Sequence, residues 1–135
     1  MSVIISKLRG MSDELEARLQ ARGIRTSDQF LDLARTPVGR KELADYTGIE
    51  SRMILELANR ADLARVKGIG GVFSDLLEHA GVDTVKELAT RRGDNLYAHL
   101  VETNAQKKLA GRAPTRNAVE AWVAQAKELP KLLEY

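Results

Sequence analysis

The chain has 135 residues, which is enough for one domain with a substantial core. Its 21 Lys and Arg residues and 19 Asp and Glu residues leave a formal net charge of +2, far weaker than that of a dedicated nucleic-acid coat protein. The absence of Cys excludes disulfides, thiolate metal sites and thiol nucleophiles. With 44% hydrophobic residues, 30% charged residues and 3 Pro, the composition is that of a globular protein and excludes a disordered chain.

The first apolar run, residues 3–5, is followed at once by Lys7 and Arg9. Such a run is too short for a secretion signal or a membrane span. We therefore expect a cytoplasmic protein that makes no membrane contact.

Polar caps and glycine stops divide the first half of the chain into four predicted helices. In chain order, the caps are Ser12, Thr26 in a capping box with Gln29, and Thr36 before Pro37, and the stops are Gly23 and Gly48. The fourth helix is predicted over residues 50–60, with its apolar side chains on one face.

The second half begins with a short helical turn over residues 61–66, followed by three closely spaced glycines. Further helices are predicted over residues 72–80, 95–104 and 115–129, and a capping box formed by Thr84 and Glu87 lies between the first two. No segment alternates as a strand would, so we predict one all-α domain over residues 1–135.

Residues 7–60 and 61–129 are predicted to be two copies of one helical module, since they match at a constant offset of 58 residues. At this offset the shared positions are the hairpin glycines Gly10 and Gly68, the stop glycines Gly23 and Gly81, and the caps Thr26 and Thr84. The second copy carries an additional segment around residues 105–114.

The segment around Gly68 has the pattern of a helix-hairpin-helix. Glycine at positions 68 and 70 permits a sharp turn, Ile69 fills the angle between the two helices, and the small Ser74 lets them approach. Gly48 lies in a reduced version of this hairpin. We expect the hairpins at Gly48 and Gly68 to form a paired unit, with Gly10 as a third candidate.

These residues also carry a family resemblance. The matching positions are residues 62–70 (DLARVKGIG), residues 81–89 (GVDTVKELA), Asn95, Leu96, Asn104, Pro114, Thr115, Trp122 and residues 125–127. Together they resemble the bacterial family called domain of unknown function 4332 over nearly the whole chain. The resemblance implies tandem helix-hairpin-helix elements in a SAM-like or helix-hairpin-helix-like all-α fold, and it brings no established activity or catalytic residue.

Helix-hairpin-helix proteins that bind DNA hold a phosphate with backbone amides at the start of the second helix, without reading bases. Here Gly68, Ile69, Gly70 and Gly71 are the candidate donors, with Lys67 as the adjacent charge. The same hairpin can serve only to pack helices. At Gly10 the match is poorer, because Ser12, Asp13 and Glu14 stand where a phosphate would arrive.

A second basic feature lies between residues 103 and 119, where no acidic residue interrupts the cations Lys107, Lys108, Arg112 and Arg116. Four phosphate contacts would give a log–log salt slope of about −3 to −4. A solvated loop is the simpler interpretation of the same residues. Trp122 lies among apolar residues on one helical face and is predicted to be a core residue rather than a stacking platform for bases.

No catalytic or metal-binding constellation is present in the sequence. The two histidines, His79 and His99, have no partner at metal-ligand spacing, and Asp75 with His79 is interpreted as an ordinary surface pair. We find no phosphate-loop motif, nucleophile elbow or acidic cluster. The chain is predicted to be no enzyme and to need no cofactor or metal.

Two hypotheses for function follow. In the first, the chain contacts the backbone of duplex DNA without sequence specificity, and its affinity falls steeply with salt. In the second, the hairpins are purely structural and the chain is an adaptor whose partner is another protein. This second hypothesis predicts no salt-dependent affinity for DNA.

Overall fold

The computed structural model describes residues 2–135, and in that part the chain is helical with no strand. A short 3-10 turn, Ile5–Lys7, precedes the first helix. The helices are α1 (Asp13–Gln20), α2 (Ser27–Ala34), α3 (Pro37–Thr47), α4 (Ser51–Leu63), α5 (Gly71–His79), α6 (Val85–Ala89), α7 (Gly93–Lys107) and α8 (Arg116–Glu128). The predicted all-α class is confirmed. None of the helices in residues 2–135 has the length and apolar character to span a membrane.

The predicted polar caps at Ser12, Thr26, Thr36 and Thr84 are present, and Thr115 is a further one. At the starts of α1, α2, α3, α6 and α8, a Ser or Thr hydroxyl accepts a hydrogen bond from the backbone amide three residues on; these caps are Ser12, Thr26, Thr36, Thr84 and Thr115. The full capping box predicted at Thr26 is confirmed. The one predicted at Thr84 is only half formed, because the Glu87 carboxylate binds the Arg91 guanidinium instead.

Two clusters of buried apolar side chains form the interior. The first is built by α1 to α4 together with the 3-10 turn, and the second by α5 to α8 together with the end of α4. The boundary between the clusters therefore falls near Ala61 and Leu63, in the last turn of α4.

The residues after α8 return to the first cluster. We call residues 130–135 the strap. Its Leu133 is 2% exposed and belongs to the first cluster. The Glu134 amide donates to the Arg35 carbonyl (2.7 Å), and the buried Arg40 donates to the Glu134 carbonyl (2.7 Å) and to the Ala34 carbonyl (2.8 Å).

The backbone repeats its hydrogen bonds at an offset of 58 residues. Gly10 and Gly68 have φ angles of +95° and +96°, and each follows a tight turn with the same bonding. In each equivalent pair a backbone amide donates to a backbone carbonyl. The pairs are Leu8 to Ile5 with Val66 to Leu63, Met11 to Leu8 with Ile69 to Val66, and Ile24 to Leu19 with Val82 to Leu77. We call residues 8–12 the Gly10 turn and residues 66–70 the Gly68 turn.

The expected pairing of the hairpins at Gly48 and Gly68 is wrong. These glycines flank opposite ends of α4, whose 13 residues span roughly 20 Å. The segment that adjoins the start of α5 is instead the one before the Gly10 turn. The Lys7 carbonyl oxygen occupies the space that a Cβ at Gly71 would need.

Candidate nucleic-acid interface

The Gly68 turn is held in place by buried apolar residues and by α8. Ile69 is 3% exposed and lies in the second cluster, and the fully buried Ser74 donates its hydroxyl to the Gly71 carbonyl (3.1 Å). The Trp122 indole covers Gly68: a Cβ built there would lie 2.9 Å from Nε1. The prediction that Trp122 is a core residue is confirmed, since it is 3% exposed.

Two backbone amides of this region are already occupied. The Ile69 amide donates to the Val66 carbonyl (3.1 Å), so Ile69 cannot be the phosphate donor that the sequence suggested. The Lys67 amide donates to Oε1 of Gln125 on α8 (2.8 Å), although its side chain is exposed. The tight turn itself uses the Ile69 amide, and Gln125 on α8 accepts from the Lys67 amide.

The amides that remain are those at the start of α5. Within residues 2–135, Gly68, Gly70, Gly71 and Val72 donate no hydrogen bond from their backbone nitrogens. Gly70 is the N-cap of α5 and has no side chain to accept from the first turn. Gly71 is buried under Lys7, whereas Gly68 and Val72 are exposed residues and Gly70 is partly exposed.

The equivalent start of α1 is closed to an anion. Ser12 occupies the position that matches Gly70, and its hydroxyl accepts from the Leu15 amide (3.1 Å). The first turn of α1 holds the acidic Asp13, Glu14 and Glu16, whereas the first turn of α5 holds no acid. Acidic side chains stabilise a helix start but repel a phosphate. Of these two turns, only the Gly68 turn is suited to a phosphate.

The basic segment, residues 107–112, begins at the last residue of α7 and is hydrogen-bonded to Arg9, which also binds α5. The Arg9 guanidinium donates to the Leu109 carbonyl (2.8 Å) and to Oδ2 of Asp75 on α5 (3.0 Å). Asn104 fixes the same segment from the other side, because its side chain exchanges two hydrogen bonds with the backbone of Ala110.

The predicted cations of this segment are free to meet solvent. Lys107, Lys108 and Arg112 are exposed. Lys108 has a φ of +51° and ends α7 in the left-handed conformation, so the chain turns sharply at these residues.

Arg116 lies apart from the other predicted cations. Its Nε donates to Glu120 (3.0 Å), and this hydrogen bond raises the pKa of Arg116 above its ordinary value. Asp94, in the first turn of α7, also raises the pKa of Arg116. Lys107 ends the same helix, roughly 20 Å further along its axis. Arg116 is therefore not part of the surface formed by the basic segment and α5.

The interpretation of Asp75 and His79 as an ordinary surface pair is wrong. The Asp75 side chain is only 6% exposed and binds two arginines of the first half, Arg9 (3.0 Å) and Arg60 (3.1 Å). His79 adds a weaker approach of 3.6 Å. Sequence spacing reveals neighbours on the same helix, but not the arginines that the fold brings from other elements.

Glu78 also belongs to this charged group, but one of its carboxylate oxygens lacks a hydrogen bond in the described part of the chain. Its Oε2 lies 3.1 Å from the Arg60 guanidinium, yet this buried atom makes no hydrogen bond within residues 2–135. Burial raises the pKa of Glu78 above its ordinary value, and the attraction of Arg60 opposes this effect only in part.

Sequence reasoning missed two cations of the interface, Lys7 and Arg9. Lys7 is exposed, and its carbonyl lies against Gly71. The offset of 58 residues contained the missing signal, since it equates Arg9 with Lys67. In the described part of the chain, no three His, Cys, Asp or Glu residues are arranged to hold a metal ion.

These features define an all-helical protein in which Lys7 and Arg9 contact α5 beside a basic segment. The chain belongs to the family described as Domain of unknown function (DUF4332), which matches residues 9–129. The family resemblance seen in the sequence is thereby confirmed. Comparison with curated proteins and with solved structures gives no match.

Proposed function

We propose that the chain is a non-enzymatic helix-hairpin-helix module that binds the backbone of duplex DNA without sequence specificity. The observation that carries this proposal is the uncapped start of α5, where amides without an internal partner lie beside exposed cations. Such a start attracts an anion because its amides and the helix dipole both favour negative charge.

In this proposal, α4 and α5 with the Gly68 turn form one hairpin element. The 3-10 turn and α1 with the Gly10 turn form the other, and residues 7–60 and 61–129 are two copies of one module. The matching φ angles and hydrogen bonds support this interpretation. The copies then differ in role, since Ser12 caps α1 while Gly70 leaves α5 open.

Binding would use phosphates alone. The Gly70 and Val72 amides bind one phosphate. Lys67 lies close to these amides in the sequence, and Lys7 has its carbonyl against Gly71. The basic segment binds further phosphates. The buried indole of Trp122 packs on the partly buried Phe73, with ring centroids 5.3 Å apart, and serves the core rather than base stacking. About four contacts predict a log–log salt slope of about −3 to −4.

The test is fluorescence anisotropy of a labelled duplex titrated with the protein at about 50 and 200 mM salt. We expect Lys67→Glu to make the slope shallower by about 1 and the double reversal Lys107→Glu with Lys108→Glu by about 2. Charge-matched controls are Lys41→Glu and the pair Lys41→Glu with Lys86→Glu, which are exposed on α3 and α6. No binding of the natural chain at low salt, or equal effects of test and control variants, would refute DNA binding.

One observation favours the adaptor function as a second candidate. Leu33 at the end of α2 is 47% exposed, and Val38 at the start of α3 is 69% exposed. A cleft lined by Arg22, Leu33, Gly39, Glu42 and Leu43 lies at this surface. Exposed apolar residues around a cleft are typical of a surface that binds another protein.

The adaptor function predicts a different outcome of the same titration. The natural chain would not bind duplex at about 50 mM salt, and the Lys107 and Lys108 reversals would change nothing. A further variant with Leu33→Asp and Val38→Asp should abolish association with the partner protein. The DNA-binding proposal predicts that the same variant binds duplex with unchanged affinity.

A further inference from the structure

We infer that Arg9 is a positioning residue that joins the basic segment and the start of α5 into one phosphate-binding surface. This inference rests on the proposed function and names the residue that assembles its site. Arg9 need not touch the phosphate itself.

The inference starts from the two hydrogen bonds of one side chain. The Arg9 guanidinium binds Oδ2 of Asp75, in the second turn of α5, and the carbonyl of Leu109, next to Lys107 and Lys108. These partners are far apart in the sequence, and the Arg9 side chain hydrogen-bonds both of them.

The end of this link at α5 is rigid. Asp75 is fixed from its other oxygen by Arg60, itself only 12% exposed. The Arg9 side chain is 40% exposed, but its partner Asp75 is only 6% exposed, and a carboxylate held by arginines on both oxygens at 3.0 and 3.1 Å keeps one geometry better than a fully exposed pair would. Arg9 is therefore anchored on α5 through Nη1 and presents its other terminal nitrogen, Nη2, to the Leu109 carbonyl.

At its other end the link holds the backbone of the basic segment. Asn104 binds Ala110 and so fixes the segment to α7, and Leu109 packs against the second cluster, but neither contact is a hydrogen bond to α5. Arg9 hydrogen-bonds both the Leu109 carbonyl and Asp75 on α5. Losing this link would leave the segment without that hydrogen bond to α5 and so let Lys108 and its neighbours shift relative to the α5 amides.

The chemistry of this link requires a guanidinium. Arginine presents several N–H donors in a fixed planar fork, whereas lysine offers a single ammonium at the end of a flexible stem. Arg9→Lys therefore keeps the positive charge but cannot hold both partners in the same geometry. This substitution separates positioning from charge.

The experiment measures the salt slope of duplex binding for Arg9→Lys, for the Lys107→Glu with Lys108→Glu variant, and for all three changes together. We expect Arg9→Lys to make the slope shallower by about 2, and the reversals to add almost nothing in that background. Arg25→Lys, at an exposed arginine of the first half, is the matched control and should leave the slope unchanged. Amide hydrogen exchange of residues 109–112 should become faster in Arg9→Lys alone.

The outcomes are distinguishable. If the natural chain binds duplex and the Lys107 and Lys108 reversals weaken it, but Arg9→Lys binds with the full slope, the inference is wrong and the proposed function stands. If the natural chain does not bind, the proposed function fails and the inference fails with it. A lower melting temperature for Arg9→Lys with an unchanged slope would assign Arg9 a structural role only and would also overturn the inference.

Discussion

Gly68 illustrates how one residue can be required twice. Its φ of +96° lies in the region that side chains with a Cβ avoid, and the Trp122 indole fills the space into which a Cβ would project. Sequence pattern alone predicts the first requirement, because the hairpin spacing calls for a positive φ. It cannot predict the second, which depends on α8 folding back over the turn.

We expect Gly68→Val to lower the free energy of unfolding by at least 1 to 3 kcal/mol, roughly the cost of a strained backbone conformation, with the Trp122 clash added. The matched control is Gly23→Val, since Gly23 has a φ of +79° but nothing within 4 Å of its Cβ position. Denaturant unfolding of both variants measures the difference. Equal losses of stability in the two variants would mean that the Trp122 indole moves aside without a measurable change in the free energy of unfolding.

Glu78 should make stability depend on pH in a stated direction. Because its pKa is higher in the fold than the ordinary value of 4.5, the folded state holds its proton more tightly than the unfolded chain. This contribution is complete below about pH 4.5 and is lost as pH rises through the raised pKa.

Glu78→Gln should therefore flatten the fall in melting temperature above about pH 4.5 and should cost little at pH 7, since Arg60 keeps Asp75 as a partner. Thermal unfolding of both proteins across this range is the measurement. A difference between them that stays constant with pH would show that Glu78 titrates alike in the folded and unfolded chains.

At the scale of elements, helix boundaries follow from local chemistry, and the arrangement of the elements does not. The polar caps at Ser12, Thr26, Thr36, Thr84 and Thr115 are all visible in the sequence, since a cap depends on residues three positions apart. The expected pairing of hairpins failed because the segment that packs against the start of α5 comes from the beginning of the chain, at Lys7, and not from the turn at Gly48. Local signals contain no information on the contact between Lys7 and Gly71.

The cap of α2 gives a prediction at this scale. Thr26→Ala removes the acceptor for the Gln29 amide and should lower the free energy of unfolding by about 1 kcal/mol. The control is Thr90→Ala, whose exposed hydroxyl donates to a carbonyl at the end of α6 and caps no helix start; a change within about 0.5 kcal/mol is expected. Urea unfolding compares the two, and similar values would argue against a capping contribution.

At the scale of the whole molecule, the strap joins the end of the chain to the first cluster. Sequence analysis ended the last helix before Pro130 and assigned no role to the residues after it. Leu133 resembles any apolar residue of a short tail, and only the fold shows that the first cluster leaves a space for it. The backbone bonds to Arg35 and Arg40 were equally hidden.

Leu133→Ala should lower the free energy of unfolding by about 2 to 5 kcal/mol, the usual cost of removing a buried leucine side chain. Leu33→Ala, at a leucine that is 47% exposed, is the matched control and should cost less than about 0.5 kcal/mol. Chemical denaturation measures both. If the two variants were equally stable, Leu133 would not be part of the first cluster in solution.

The position of Leu133 also has a consequence for biosynthesis. A ribosome releases α1 to α4 long before it adds the strap, so the first half emerges with an unfilled gap in its interior. Native packing of that half must then wait until residues 130–135 have left the ribosome, and until then the first half exposes the apolar surface that Leu133 covers in the fold.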